Sequence, residues 1–133
     1  MIKTLFTVLL LISIASCNRS IKEVSINLSG LEVNSVFRLD TINTSDWDNL
    51  YVIKPYHKIE INIDDMSDSD LKNIESQSML DGYCSFLFLK EDRLVNYSFI
   101  SRDMADFSQI QDKSIFPSNQ NYELNEKRII TIP

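Results

Sequence analysis

Three kinds of side chain in this sequence have types suited to chemistry: two thiols, one imidazole and a run of carboxylates. His57 follows Tyr56 and precedes Lys58, just after Pro55, and no Cys, Asp or Glu joins it at the spacing of a transition-metal site. A Ser-His-Asp triad is defined by geometry and not by chain order, so it stays open, but no Gly-x-Ser-x-Gly elbow is present. His57 reads as a solvated turn residue. The run Asp64-Asp65-Met66-Ser67-Asp68-Ser69-Asp70, with Glu75, puts carboxylates at the first, fifth, seventh and twelfth positions of a calcium loop. Met66 then occupies the third position and Ser69 the sixth, where the turn requires Gly. Capping of a helix and interaction with its dipole account for the same carboxylates. No catalytic, cofactor-binding or metal-binding set is assigned.

The two cysteines differ in setting. Cys84 lies in Tyr83-Cys84-Ser85-Phe86-Leu87-Phe88-Leu89 and reads as a small buried hydrophobe. Cys17 ends the sequence Met1-Ile2-Lys3, an apolar run Leu5 to Ile14, then Ala15-Ser16-Cys17. One positive charge, an apolar stretch and small residues form the three parts of a secretory signal peptide. As a helix the run spans only about 15 Å, half the thickness of a hydrocarbon core.

Ile14-Ala15-Ser16-Cys17 resembles the lipobox of bacterial lipoproteins: an aliphatic residue, two small residues, then cysteine. The resemblance implies a diacylglyceryl thioether on Cys17, cleavage before it, and acylation of the new amino group. Residues 1–16 are then a lipoprotein signal peptide, 17–23 the lipidated cysteine and its tether, and 24–133 a single domain. Two or more acyl chains hold a protein stably on a bilayer, at about 0.8 kcal/mol per buried CH₂. The membrane partner is reached through the acyl chains on Cys17. Asn18 follows the cysteine where the family's inner-membrane retention signal has Asp, which favours the outer membrane of a two-membrane envelope. With Cys17 acylated, Cys84 has no intramolecular disulfide partner.

Composition sets further bounds. The chain has 133 residues, 44% hydrophobic and 24% charged, enough for one domain with a core. Thirteen Lys and Arg face nineteen Asp and Glu, a net charge of −6. Removal of residues 1–16 takes away only Lys3, leaving twelve cations against nineteen carboxylates, or −7. Such a balance disfavours nucleic acid, whose binding depends on neutralised phosphates. Two glycines in all exclude a glycine-rich phosphate loop.

The elements that would carry these residues follow from periodicity. Val24, Ile26 and Leu28 alternate with polar residues as in a half-buried strand, and an extended stretch covers Ser35 to Ile42. Leu50 to Ile53 is a short β-forming run ended by Pro55. Lys58 to Ile63 alternates like a strand. Ser67 with Asp70 approximates a capping box, and Leu71, Ile74 and Ser78 mark a helical face before Asp81-Gly82. Tyr83–Leu89 and Leu94–Ile100 form a hairpin around Lys90-Glu91-Asp92-Arg93. Cys84, Phe86 and Phe88 on one strand, and Val95, Tyr97 and Phe99 on the other, are expected to meet the helix. Residues 101–119 read as a polar loop with a helical turn near Met104–Ile110, and two strands flank Asn125-Glu126-Lys127. The fold class is α+β: an antiparallel sheet of five or six strands with one short helix on a face, preceded by the cleaved signal peptide.

Trp47-Asp48-Asn49-Leu50-Tyr51-Val52-Ile53-Lys54-Pro55-Tyr56 resembles a Trp-Asp-x-Leu-Tyr-Val-x-x-Pro-Tyr motif of small uncharacterised bacterial proteins, many with lipoprotein signals. That resemblance implies a strand followed by a helix and a β-hairpin, and no activity. Trp47, Tyr51 and Tyr56 are the candidate interaction surface, an aromatic rim for a sugar or peptide, with core or edge packing as the alternative. The expected function is a lipid-anchored, non-catalytic binding module of the cell envelope, its partner another envelope protein. A small envelope hydrolase or glycan-processing enzyme is the alternative. An inhibitor or immunity-type protein, steered by its negative charge to a basic enzyme, is another.

Overall fold

The hairpin of β4 (Tyr83–Lys90) and β5 (Arg93–Ser101) is the centre of a five-stranded sheet. A computed structural model describes residues 22–110 and 114–133; residues 1–21, with Cys17 and the expected signal peptide, lie outside the described residues. β3 (Asn49–Ile53) pairs antiparallel with β4, β6 (Ile115–Pro117) adds beyond β3, and β1 (Lys22–Glu23) runs parallel to β5. The order is β1-β5-β4-β3-β6. A second sheet holds β2 (Val36–Arg38), β7 (Asn121–Leu124) and β8 (Ile130–Thr131), all antiparallel. The described residues form an α+β fold with seven short antiparallel strands in two sheets and one α-helix, not a single sheet.

Both faces of the larger sheet are covered, which is why β3 and β4 read as nearly continuous apolar runs. On one face Leu50, Val52, Cys84, Phe86, Phe88 and Ile100 meet Phe37, Tyr122, Leu124 and Ile130 of the smaller sheet. Phe86 stands edge-on to Phe107, with ring centroids 4.6 Å apart. On the other face Tyr51, Ile53, Leu87, Leu89, Leu94 and Tyr97 surround Ile74 of helix α1 (Asp68–Ser78). The helix therefore meets Leu87 and Leu89, not Cys84, Phe86 and Phe88.

A bulge explains a second departure. Phe88 registers with Asn96 but Leu89 with Leu94, so Val95 is left over in the ladder. One extra residue inverts the alternation beyond it. Val95 then packs with the two-sheet core while Leu94 joins Tyr97 under the helix.

Local signals place the helix ends. The Ser67 Oγ accepts from the Asp70 N–H at 3.1 Å and donates to the Asp70 carboxylate at 2.7 Å. This satisfies one of the four orphan donors of the first turn. Upstream, Ile59, Ile61 and Ile63 alternate inward against the helix-side core, yet residues 58–63 form no strand. Val24, Ile26 and Leu28 likewise lie outside any strand, although Ile26 and Leu28 are buried. Alternation reports which side chains point inward; it does not require a neighbouring ladder. Between 101 and 110 there are two tight turns, closed by Met104 on Ser101 and by Ile110 on Phe107, and no α-helix, and Ala105, Phe107 and Ile110 are core anchors.

Candidate functional site

Trp47, Tyr51 and Tyr56 do not share a surface. Trp47 is 6% exposed in the two-sheet core, edge-on to Phe88, and its Nε1 donates to the Asn43 carbonyl at 2.9 Å. Tyr51 is 3% exposed on the opposite face of the sheet, where its hydroxyl accepts from the Glu60 N–H at 3.0 Å. Burial of large aromatic rings with their polar tips satisfied is the ordinary structural use of these residues. Tyr56 alone is open, at 63%.

Tyr56 has other neighbours. β3 ends beside Ser85 near the start of β4, and the Tyr56 N–H donates to the Ser78 carbonyl at 2.6 Å. That bond joins the turn after β3 to the last turn of α1. Met79 and Leu80, immediately following, are each 46% exposed, and Tyr83 at the head of β4 is 38% exposed. The result is a concentration of open apolar side chains at one end of the larger sheet. Tyr56 holds a positive φ of 63°, a region bulky residues enter rarely. No signal in the sequence connects Tyr56 to Leu80, because a tertiary hydrogen bond makes the connection.

The remaining candidates are dispersed. His57 is exposed beside this end, its Nδ1 2.9 Å from the Pro55 carbonyl and its N–H on the Lys54 carbonyl. The carboxylates of 64–70 are spread out: the Asp64 backbone forms an isolated bridge to that of Arg93, the Asp65 carboxylate lies 3.8 Å from the Arg93 guanidinium, and Asp68 and Asp70 occupy the first turn of α1. Among the described residues no three His, Cys, Asp or Glu side chains are grouped to hold a metal ion. Cys84 is fully buried and free; burial, with Asp106 adding, pushes its thiol up to about 12. A thiol so far from ionisation is a poor nucleophile.

Two clefts of about 310 Å³ flank the larger sheet. One is lined by Tyr51, Glu60, Ile61, Ser114 and Ile115. The other is formed by Glu23, Val24, Ser25, Ile26, Ser98, Phe99 and Met104. Neither includes His57 or Cys84.

At the Tyr83 end Arg102 holds the loop before β4 to the segment after β5. It donates to Asp106 at 3.1 and 3.2 Å and to Asp81 at 3.0 and 3.1 Å. Burial opposes ionisation of Asp106, but hydrogen bonds from Arg102 and Ser108 and the guanidinium charge outweigh it. The Asp106 carboxyl is held below its ordinary value. No helix among the described residues is long and apolar enough to cross a membrane. Comparison with protein-family models, with curated proteins and with solved structures returns no match.

Proposed function

We propose that this protein is exported, acylated on Cys17 and anchored by its lipid to the cell membrane, the outer membrane where the envelope has two, as a non-catalytic binding module whose partner is another envelope protein. The signal for export and acylation is Ile14-Ala15-Ser16-Cys17 behind one charge and a short apolar run. The observation that carries the binding role is the exposed end built by Tyr56, Met79, Leu80 and Tyr83. Open apolar side chains gathered in one place mark interaction sites more than scattered ones do. Of the three aromatics first considered for the surface, Tyr56 remains and Leu80 and Met79 replace Trp47 and Tyr51. The hydrolase alternative depends on His57, whose ring nitrogen is engaged with a backbone carbonyl outside both clefts.

Affinity recovery of the acylated protein from detergent-solubilised envelope tests the assignment. A stoichiometric partner retained by the wild type and lost with Leu80→Asp is the expected result. Equal recovery by both, or recovery of the protein alone, refutes a role for this surface. A Cys17→Ser protein that stays in the membrane at unprocessed size refutes the anchor.

A further inference from the structure

We propose that the anchored domain stands with its β4–β5 hairpin end towards the bilayer and presents its Tyr56–Leu80 end away from it. The inference rests on acylation at Cys17. β1 registers Lys22 with Asn96 and Glu23 with Tyr97, in parallel with β5. Its N-terminal end is therefore the end nearer Arg93 and the hairpin turn. Five peptide steps separate Cys17 from Lys22, a reach of at most about 18 Å. A domain of this size is roughly 35 Å across, so that reach is too short for the domain to turn over freely. From Asn96 the hairpin turn at Arg93 is three residues, ~10 Å, in one direction, and Ser101, opposite Tyr83, is five residues, ~17 Å, in the other.

The two ends differ in chemistry as well as in distance. The hairpin end gathers Asp46, Asp48, Asp64, Asp65, Glu91 and Asp92 around Lys90 and Arg93. Lys90 reaches Asp46 at 3.2 Å, the Glu91 N–H reaches Asp48, and the Asp64 N–H reaches the Asp92 carbonyl. An anionic leaflet repels this excess of negative charge, but only within about a Debye length, roughly 8 Å. That distance is shorter than the reach of the tether, so repulsion holds the hairpin end off the surface without inverting the domain. The apolar end, with Tyr56, Met79, Leu80 and Tyr83, is then left facing the aqueous side, where a protein partner approaches.

The test uses the chain beginning at Cys17, coupled through that thiol to a maleimide lipid in bilayer nanodiscs that also carry gadolinium-chelating headgroups. Buried Cys84 does not compete for the maleimide. Several-fold greater loss of amide signal at Asp46, Asp64, Asp65, Glu91 and Asp92 than at Tyr56, Met79, Leu80 and Tyr83 is expected. A long Gly-Ser insertion before Ile21 should erase the difference, because the tether then lets the domain tumble. Uniform or inverted loss with the native tether overturns the orientation. Acylation in the cell is read separately, by the mass of the native protein, so the two ideas fail independently.

Discussion

The Asn43 side-chain amide donates to the Asn96 side-chain carbonyl at 3.0 Å, joining the loop after β2 to β5 beside its bulge. Both residues are buried. Asn96 in turn donates to the Ser45 hydroxyl at 3.0 Å, and the Asn43 carbonyl receives the Trp47 indole. Buried amides with these partners specify one arrangement of a loop that lacks regular structure.

Asn96→Ala leaves the Asn43 amide buried without its partner, and an unsatisfied buried group costs about 1–3 kcal/mol. Urea unfolding should show a loss in that range for either Asn96→Ala or Asn43→Ala. The double variant should lose less than the sum, since one interaction is removed twice.

Two residues, Glu91 and Asp92, make the turn between β4 and β5. Glu91 and Asp92 both have positive φ, 49° and 62°, as a two-residue turn of the hairpin twist requires. Neither glycine of the chain serves here. Replacing Glu91-Asp92 by Asn-Gly relieves left-handed strain of about 1 kcal/mol or more. Calorimetry should record a rise in Tm of about 4 °C or more, by the size scaling of domains near this length. An unchanged or lower Tm would show that the charged pair contributes more than its backbone strain removes.

Ser85 is buried between the strands, and its Oγ has no hydrogen-bond partner among the described residues. Removing an unsatisfied hydroxyl is neutral or stabilising where removing a paired one is not. Ser85→Ala should keep or raise stability by up to about 1 kcal/mol, whereas Ser78→Ala, which loses a bond to the Glu75 carbonyl at 2.8 Å, should lower it.

Asp106 couples stability to pH. Its folded value is depressed, so its contribution is complete above the unfolded carboxyl value near 4 and is lost as pH falls through the folded value. The stability difference between wild type and Asp106→Asn should therefore be constant from about pH 5 to 8 and shrink below about pH 4. At neutral pH the variant should be destabilised by about 1–3 kcal/mol, because the hydrogen bonds to Arg102 lose their charge. A difference that grows on acidification would contradict this assignment.

Local physics in the sequence determined the elements whose signals lie within a few residues. Ser67 and Asp70 cap the helix because the cap is a contact across three residues. Tyr83–Lys90 and Arg93–Ser101 pair because two residues join them. Tertiary structure decided what depends on distant partners. The second sheet exists because Val36 registers with Glu123, far along the chain, and short strands carry too little pattern to announce that pairing. The leftover Val95 inverted the faces of β5, which no alternation in the sequence displays. Burial then removed Trp47 and Tyr51 from the surface to opposite cores, and one hydrogen bond to Ser78 set Tyr56 beside Met79 and Leu80. Apolar residue type is set locally, but exposure is the area left after all distant neighbours have packed, so only the assembled fold assigns it.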